Sequence, residues 1–440
     1  MDWMSFWSSK EVRIGAAVAF AGCIATAAGQ AKAAYKIGDD DSYVKVGGLL
    51  QAWASKTEEA APNGTTADNE FFLRRIRLMM FGQVNEHVNF FIETDNPNFG
   101  KDGNWGGSMF IQDAYVELNL HDAFQLDAGL LLVPFSHHGM QGATSLIGLD
   151  YMSSVIRYTP GSNKVWRDGG LMVRGMVADN HLEYRLGVFN GVRGNGTPVA
   201  QTVEDATGTT TASWTQATDP RNPKDVPRLA ARITANVFDA EGGPGAGGMF
   251  YDGLYLKETP EGLISPKTIL SFGASVDWQK DAIVSFGPAP TTLNAGERET
   301  KKSSYMALAG DAFWDLPLDS AKLMSLNGQV NVYYYDHGDR SAGTLSYYDS
   351  VGASTARLHS GLGLMTELGV RYDKVMPVFQ MGYFKAKDNV GEAGDYMGMF
   401  GGFNYFMYGH TTSLKARVGS EKEHGNDAVL SGQLQMQLLF

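Results

Sequence analysis

In "HLEYRLGVFNG" (His181–Gly191) every second residue is apolar. Leu182, Tyr184, Leu186 and Val188 share one parity, and Glu183 and Arg185 share the other. Side chains alternate across a strand, so the segment has one oily and one charged face. "PRLAARITANVF" (Pro227–Phe238) repeats the pattern, with Leu229, Ala231, Ile233, Ala235 and Val237 opposing Arg228, Arg232, Thr234 and Asn236. The chain closes on "LSGQLQMQLLF", with Gln433, Gln435 and Gln437 on one parity and Leu434, Met436, Leu438 and Phe440 on the other. These segments do not copy one another, so the repetition belongs to the architecture. Helical periodicity is scarce. The charge-free run Tyr396–Leu414 is broken by Gly398, Gly401, Gly402 and Gly409, and reads as two strands around a tight turn.

Marking every alternating segment gives about sixteen strands, each bound uncertain by a few residues. They lie near 43–54, 70–84, 86–95, 109–120, 123–133, 168–178, 181–191, 227–239, 266–278, 302–314, 322–336, 358–372, 375–387, 395–407, 410–420 and 428–440. Tight turns at Asn85–Glu86, His121–Asp122, Asp179–Asn180 and Asp373–Lys374 alternate with long links at 55–69, 96–108, 134–167, 192–226, 279–301 and 337–357. Short turns on one side and long loops on the other are the asymmetry of an outer-membrane barrel. A sheet that spans lipid must pair all its backbone groups internally, and therefore closes on itself. The expected fold is all-β: a transmembrane antiparallel β-barrel. Residues 240–265 break the rule by running long where a short turn is due; they read as a large periplasmic turn or as a hairpin around Met249–Leu256.

Composition agrees. Of 440 residues 53 are Gly, aromatics make up 11%, and there is one cysteine. A mean hydropathy of −0.20 resembles that of a water-soluble chain, but half of a barrel's strand residues face a polar lumen. The net charge of −12 argues against a nucleic-acid partner. Lys10 and Arg13 precede an apolar run from Ile14 to Ala28, followed by "AKA" at Ala31–Ala33. That is the pattern of a signal peptide over 1–33, leaving 34–440 as the barrel.

"FFLRRIRLMMFGQVNEHVNFFIETD" (Phe71–Asp95) opens on Leu-Arg-Arg-x-Arg-Leu; "IQDAYVELNL" and "FQLDAGLLLVPFS" follow it. With "LAARITANVFD" and the terminal Phe440, these stretches resemble the phosphate-selective porin O and P family, best over Tyr43–Gly191. The resemblance implies a sixteen-stranded, homotrimeric outer-membrane porin whose third external loop, here 134–167, folds into the lumen and narrows it. It also implies that Phe440 is read by the outer-membrane assembly machinery. His137 and His138 stand where a basic or acidic residue is more usual, and the third loop carries only Lys164 in place of a lysine cluster. The family name therefore does not fix phosphate as the solute.

With apolar faces toward lipid, alternation turns Arg75, Arg77, Arg174, Arg185, Arg228, Arg232, Arg371, Lys415 and Arg417 into the lumen. Glu93, Asp95, Asp113, Glu117, Asp127, Glu183 and Glu367 join them. The third loop adds His137, His138, Asp150, Arg157, Lys164, Trp166 and Arg167. Charged rings at such a constriction select ions by sign. The plainer reading is that Arg75 or Arg77 pairs with Glu93 or Glu117 across strands. His137 and His138 read as solvated loop histidines; if they face the eyelet, conductance changes near pH 6.5. As metal ligands they are weak, lacking cysteines or spaced carboxylates nearby. Tyr333, Tyr335, Tyr383, Phe403, Tyr405 and Tyr408 read as interfacial girdle residues.

No G-x-S-x-G elbow, H-E-x-x-H pair, Walker A loop or C-x-x-C-H site occurs. The expectation is a non-enzymatic porin without cofactor that lets small hydrophilic solutes or ions diffuse passively, with anion or phosphate preference. The alternatives are a general or weakly cation-preferring porin, or a barrel that sheaths a partner protein.

Overall fold

The structure, a computed structural model, describes residues 35–157, 166–192, 199–204, 210–216, 226–243, 251–286, 300–338, 345–346, 359–387, 394–423 and 425–440. The signal-peptide segment 1–33 and Lys164 lie outside them. Sixteen strands form the wall. They are β1 (Tyr43–Thr57), β2 (Asp68–Asn85), β3 (Val88–Asp95), β4 (Phe110–His121), β5 (Phe124–Leu132), β6 (Arg167–Val177), β7 (Leu182–Phe189) and β8 (Arg228–Asn236). The second half comprises β9 (Ile269–Phe286), β10 (Thr300–Pro317), β11 (Met324–Asp336), β12 (Gly361–Tyr372), β13 (Val375–Ala386), β14 (Tyr396–Tyr408), β15 (Thr412–Glu423) and β16 (Val429–Leu439). Each pairs antiparallel with the next, and β16 returns to β1 through Leu49↔Leu439 to Thr57↔Ser431. Closure leaves no sheet edge to be desolvated in lipid.

Each wall strand falls on its expected segment. The largest departure is β9, which runs on to Phe286 opposite a β10 that starts at Thr300. Lys280, Asp281 and Lys301 lie in these extensions. Beyond the lipid band a strand needs no apolar face, so the alternation that betrays it fades. Within the band Leu78, Val116, Leu171, Leu186, Ile233, Phe272 and Leu362 point outward, while their neighbours Arg77, Glu117, Arg185 and Arg232 point inward and are mostly buried. The backbone of Phe440 bonds Gly48 in both directions, at 2.7 and 3.0 Å. A Cβ on Gly48 would come within 2.8 Å of the Phe440 ring, so a side chain there would displace that ring from the closing seam.

Two aromatic expectations fail. Tyr333 and Tyr335 are fully buried inside the barrel, stacked on each other at 5.9 Å and packed against Phe135. The inward parity of β11 is set by Gln329 and Asn331, which leaves Tyr334 as the outward residue of the three. Tyr383, Phe403 and Tyr405 do lie exposed on the outside.

The connection between β8 and β9 is a large turn, the first of the two expected forms, and no hairpin centres on Met249–Leu256 among its described residues. Its hairpin lies later, pairing Lys257–Thr259 with Gly262–Ile264. Tyr251 to Leu256 precede it and rise into the lumen, where Tyr251 is buried and Tyr255 donates to Asp315 at 2.9 Å.

Candidate functional site

After Leu132 the chain turns into the barrel, and almost every residue from Val133 to Arg157 is buried. One short helical turn, α1 (His137–Met140), is capped by Ser136, whose side chain accepts from Gly139 N–H. The loop brings its own apolar anchors. Phe135, Met140, Met152, Val155 and Ile156 pack with Tyr305, Tyr333, Tyr335, Met365 and Phe384 of the β10–β13 wall. Burying such side chains contributes about 1.5–3 kcal/mol each, so the loop is a fixed part of the lumen.

A buried loop must also find partners for its backbone. The opposite wall supplies them. Gln51 donates to Ala143 O (3.2 Å), Gln437 to Thr144 O (2.9 Å), Lys415 to Leu146 O (2.5 Å) and Asn404 to Ile147 O (2.9 Å). Gly148 N–H donates to Glu367 at 3.1 Å, and Gln380 donates to Asp150 O at 3.0 Å. The terminal glutamines thus face inward, and Gln437 is committed to the loop's backbone.

The inward arginines are mostly paired with carboxylates. Arg77 bonds Glu93 and Asp95, the first of these the expected cross-strand partner. Arg167 bonds Asp113 (2.9 Å), Arg174 bonds Glu117 (2.5 Å) and Asp127 (3.0 Å), and Arg185 bonds Glu183 (2.5 Å). Arg232 pairs with Asp311 at 2.6 Å. Arg75 takes a different partner: it reaches Asp150 of the loop at 2.7 Å. Arg157 bonds Gly394 O at 3.1 Å and lies 3.5 Å over the Phe384 ring.

Strict alternation misses Arg74. The β1–β2 register shifts between Gln51↔Arg75 and Ala52↔Leu73, so β2 carries one extra residue. A bulge of this kind re-aims a side chain. Arg74 therefore joins Arg75 on the inside and donates to Asp150 at 2.8 Å. The Arg-Arg doublet beside a long strand was the available signal. Burial and the two guanidinium groups act oppositely on the Asp150 carboxyl, and the net effect holds it well below the usual range.

The histidines correct the sequence reading, because neither is solvated. His137 is sandwiched between Tyr251 (4.8 Å) and Phe313 (4.1 Å), with ring nitrogens 2.9 Å from Gln329 and 2.7 Å from Glu241. His138 is fully buried; Met152 N–H donates to its Nε2 at 3.2 Å, and Nδ1 lies 3.2 Å from the Gln329 amide nitrogen. Burial, reinforced by His137, pushes His138 down to about 3. His138 thus stays neutral at pH 6.5, where an open loop histidine would titrate. The unfolded chain binds this proton near pH ~6.5 and the native chain does not. Stability therefore rises with pH from about 3 to ~6.5 and is complete above that. His138→Asn is expected to flatten the fall in denaturation midpoint between pH 6.5 and 4; an unchanged slope in urea titrations would count against the assignment.

Between the loop and the β1–β5 wall lies a cavity of about 370 Å³. Arg77, Glu93 and Arg167 border it at the charged level, and Met79, Phe81, Phe91 and Tyr115 border it nearer the short turns. Met140–Thr144 form its loop side, with Asp252 and Leu254 of the β8–β9 turn below. The described parts of the loop and the turn both occupy the lumen.

The fold recurs in an anion-selective porin from Comamonas acidovorans, 11% identical, with a TM-score of 0.51 over 91% of this chain and 100% of that one. The outer-membrane channel DcaP of Acinetobacter baumannii is 12% identical, with a TM-score of 0.49 over 91% of this chain and 99% of that one. Salmonella typhi OmpF in complex with daunomycin is 10% identical, with a TM-score of 0.49 over 92% and 100%. No curated protein matches the sequence significantly. The sequence matches the family described as phosphate-selective porin O and P over residues 44–419, a span covering every wall strand but part of β1 and β15 and all of β16. The chain belongs to that family and forms a porin barrel in the outer membrane.

Proposed function

We propose that this porin passes small hydrophilic solutes by passive diffusion, with a preference for anions set beside the third loop and with no covalent step. The observation that supports this is the charge balance around Asp150. Arg74, Arg75, Lys415 and Arg417 face that stretch of lumen against Asp150, Glu367 and Glu421. Among the described residues, Lys415 bonds the carbonyls of Leu146 and Gly148, and Arg417 bonds the amide oxygens of Gln380 and Gln433. Two cations there carry no carboxylate bond, whereas the arginines around the rest of the wall are largely neutralised. A local positive excess in a narrow pore favours anions.

Because the pairs along the rest of the wall hold more carboxylates than arginines, the expected preference is modest: a chloride-over-potassium permeability ratio of roughly two to five. Reversal potentials in a KCl gradient across a planar bilayer test this, and a ratio below one would overturn it. Repeating the measurement with phosphate against chloride asks whether the preference extends to the family's namesake. We further propose a homotrimer, checked by native mass in detergent. Phe440 is proposed as the assembly signal; its deletion should lower outer-membrane yield while leaving the conductance of barrels that do insert unchanged.

A further inference from the structure

The cavity beside the third loop has a lining that a simple ion pore does not need. A barrel lumen is ordinarily polar. Here the inward residues of four neighbouring strands form one cross-strand row: Lys45 opposite Phe81, Phe81 opposite Phe91, and Phe91 opposite Tyr115. Phe91 and Tyr115 sit 5.7 Å apart with tilted rings. Met79 lies one step above, and Arg77 one step above that. Phe81, Phe91 and Met79 are only partly buried, so their carbon surface faces the cavity.

Lys45 is exposed, and its ammonium lies 5.1 Å over the Tyr43 ring; Lys36, opposite it in the sheet, shares that ring at 4.7 Å but is bonded to Asp40. Among the described residues Lys45 makes no ion pair. Arg77 and Arg167, by contrast, are committed to carboxylates. The site thus offers a flat apolar strip closed at one end by a single uncommitted cation.

We infer that this row is a subsite for a small aromatic carboxylate, with its ring against Phe81 and Phe91 and its carboxylate at Lys45. The inference rests on the pore reading above and names a solute class for it. A bare inorganic anion would use Lys45 but gain nothing from the rings. A neutral aromatic would use the rings but not the charge. An ion that carries both parts gains from both, since ring contact and charge attraction act at different places.

The test is block of KCl current through the full-length porin in a planar bilayer, with benzoate, acetate and benzyl alcohol added in turn from the periplasmic side. Half-block by benzoate is expected at a concentration roughly tenfold below that of either control, the size of effect expected from partial burial of one ring. Phe91→Ala should bring benzoate to the level of acetate, and Lys45→Gln should bring it to the level of benzyl alcohol. Heat-modifiability on a gel shows whether each variant is folded, and the wild-type comparison needs no variant. Benzoate within twofold of acetate or of benzyl alcohol in the wild type overturns the inference, as does an unchanged benzoate-to-acetate ratio in folded Phe91→Ala. The KCl reversal potential from the same bilayers separates the two proposals. Chloride preference without benzoate selectivity defeats only this one, and cation preference defeats the pore reading.

Discussion

Replacing residues 241–265 by a short turn is expected to raise single-channel conductance roughly two- to threefold, as widening a constriction does. The β8–β9 ladder does not need this segment, because its backbone bonds continue to Val237–Leu270 and Asp239–Thr268 without it. What the segment does is occupy the lumen from the periplasmic side. Its Tyr251 ring stacks on His137, and Tyr251 O accepts from Gly142 N–H at 2.9 Å and from the Ser145 hydroxyl at 3.1 Å. Glu241 holds His137 at 2.7 Å, and Leu263 packs with Ile147, Phe313 and Phe406. Removing it takes away mass from the passage and the underside support of the loop together. Tyr251→Ala, which deletes only the stack, should give a smaller rise and noisier current. Conductance equal to that of the wild type in the shortened barrel would show that the turn does not narrow the path.

The second large effect concerns Asp150. Asp150→Asn removes the only carboxylate that Arg74 and Arg75 bond in the described structure. Removing one partner of a buried pair costs about 3–5 kcal/mol, because the remaining charge is left desolvated. Arg75 is almost fully buried while Arg74 is partly open, so the lower end of that range is expected. Thermal unfolding should fall accordingly, and chloride preference should rise, since the mouth gains a full positive charge. Arg75→Gln added to Asp150→Asn should recover much of the stability. A single variant with unchanged midpoint and unchanged reversal potential would show that the triad anchors nothing. Acid does not substitute for this mutation in ordinary buffers. The folded carboxyl is depressed, so its stabilising contribution is complete above ~3.9 and is lost only as pH falls through the lower folded value. Asp150 therefore keeps the loop anchored between pH 5 and 8.

The wall was legible because one period governs it. Each strand has to show oil to lipid and polarity to water, so Leu186 beside Arg185 states both the strand and its facing. The interior was less legible, because no period governs a loop that folds into a lumen. A signal was nevertheless present. Leu146, Ile147, Leu149, Met152, Val155 and Ile156 make the third loop too apolar for a solvated exterior position, and reading His137 and His138 as solvated ignored that company. Arg74 was hidden for another reason. A bulge shifts facing by one residue, and a single sequence shows the doublet without showing where the ladder slips. Tyr251 was hidden because the turn that carries it follows Gly242–Gly248, a stretch whose composition marks a break but not a destination.

The third loop leaves the wall at Leu132, yet its carbonyls are held by Asn404, Lys415 and Gln437, more than 250 residues later in the chain. Those bonds have no partners until the last three strands are in register. Contacts of such long sequence separation form only after the intervening chain has been ordered. The loop's latch on that side is therefore part of the closing strands themselves, and a barrel with a defective last strand is left with a partly unlatched loop as well as an open seam.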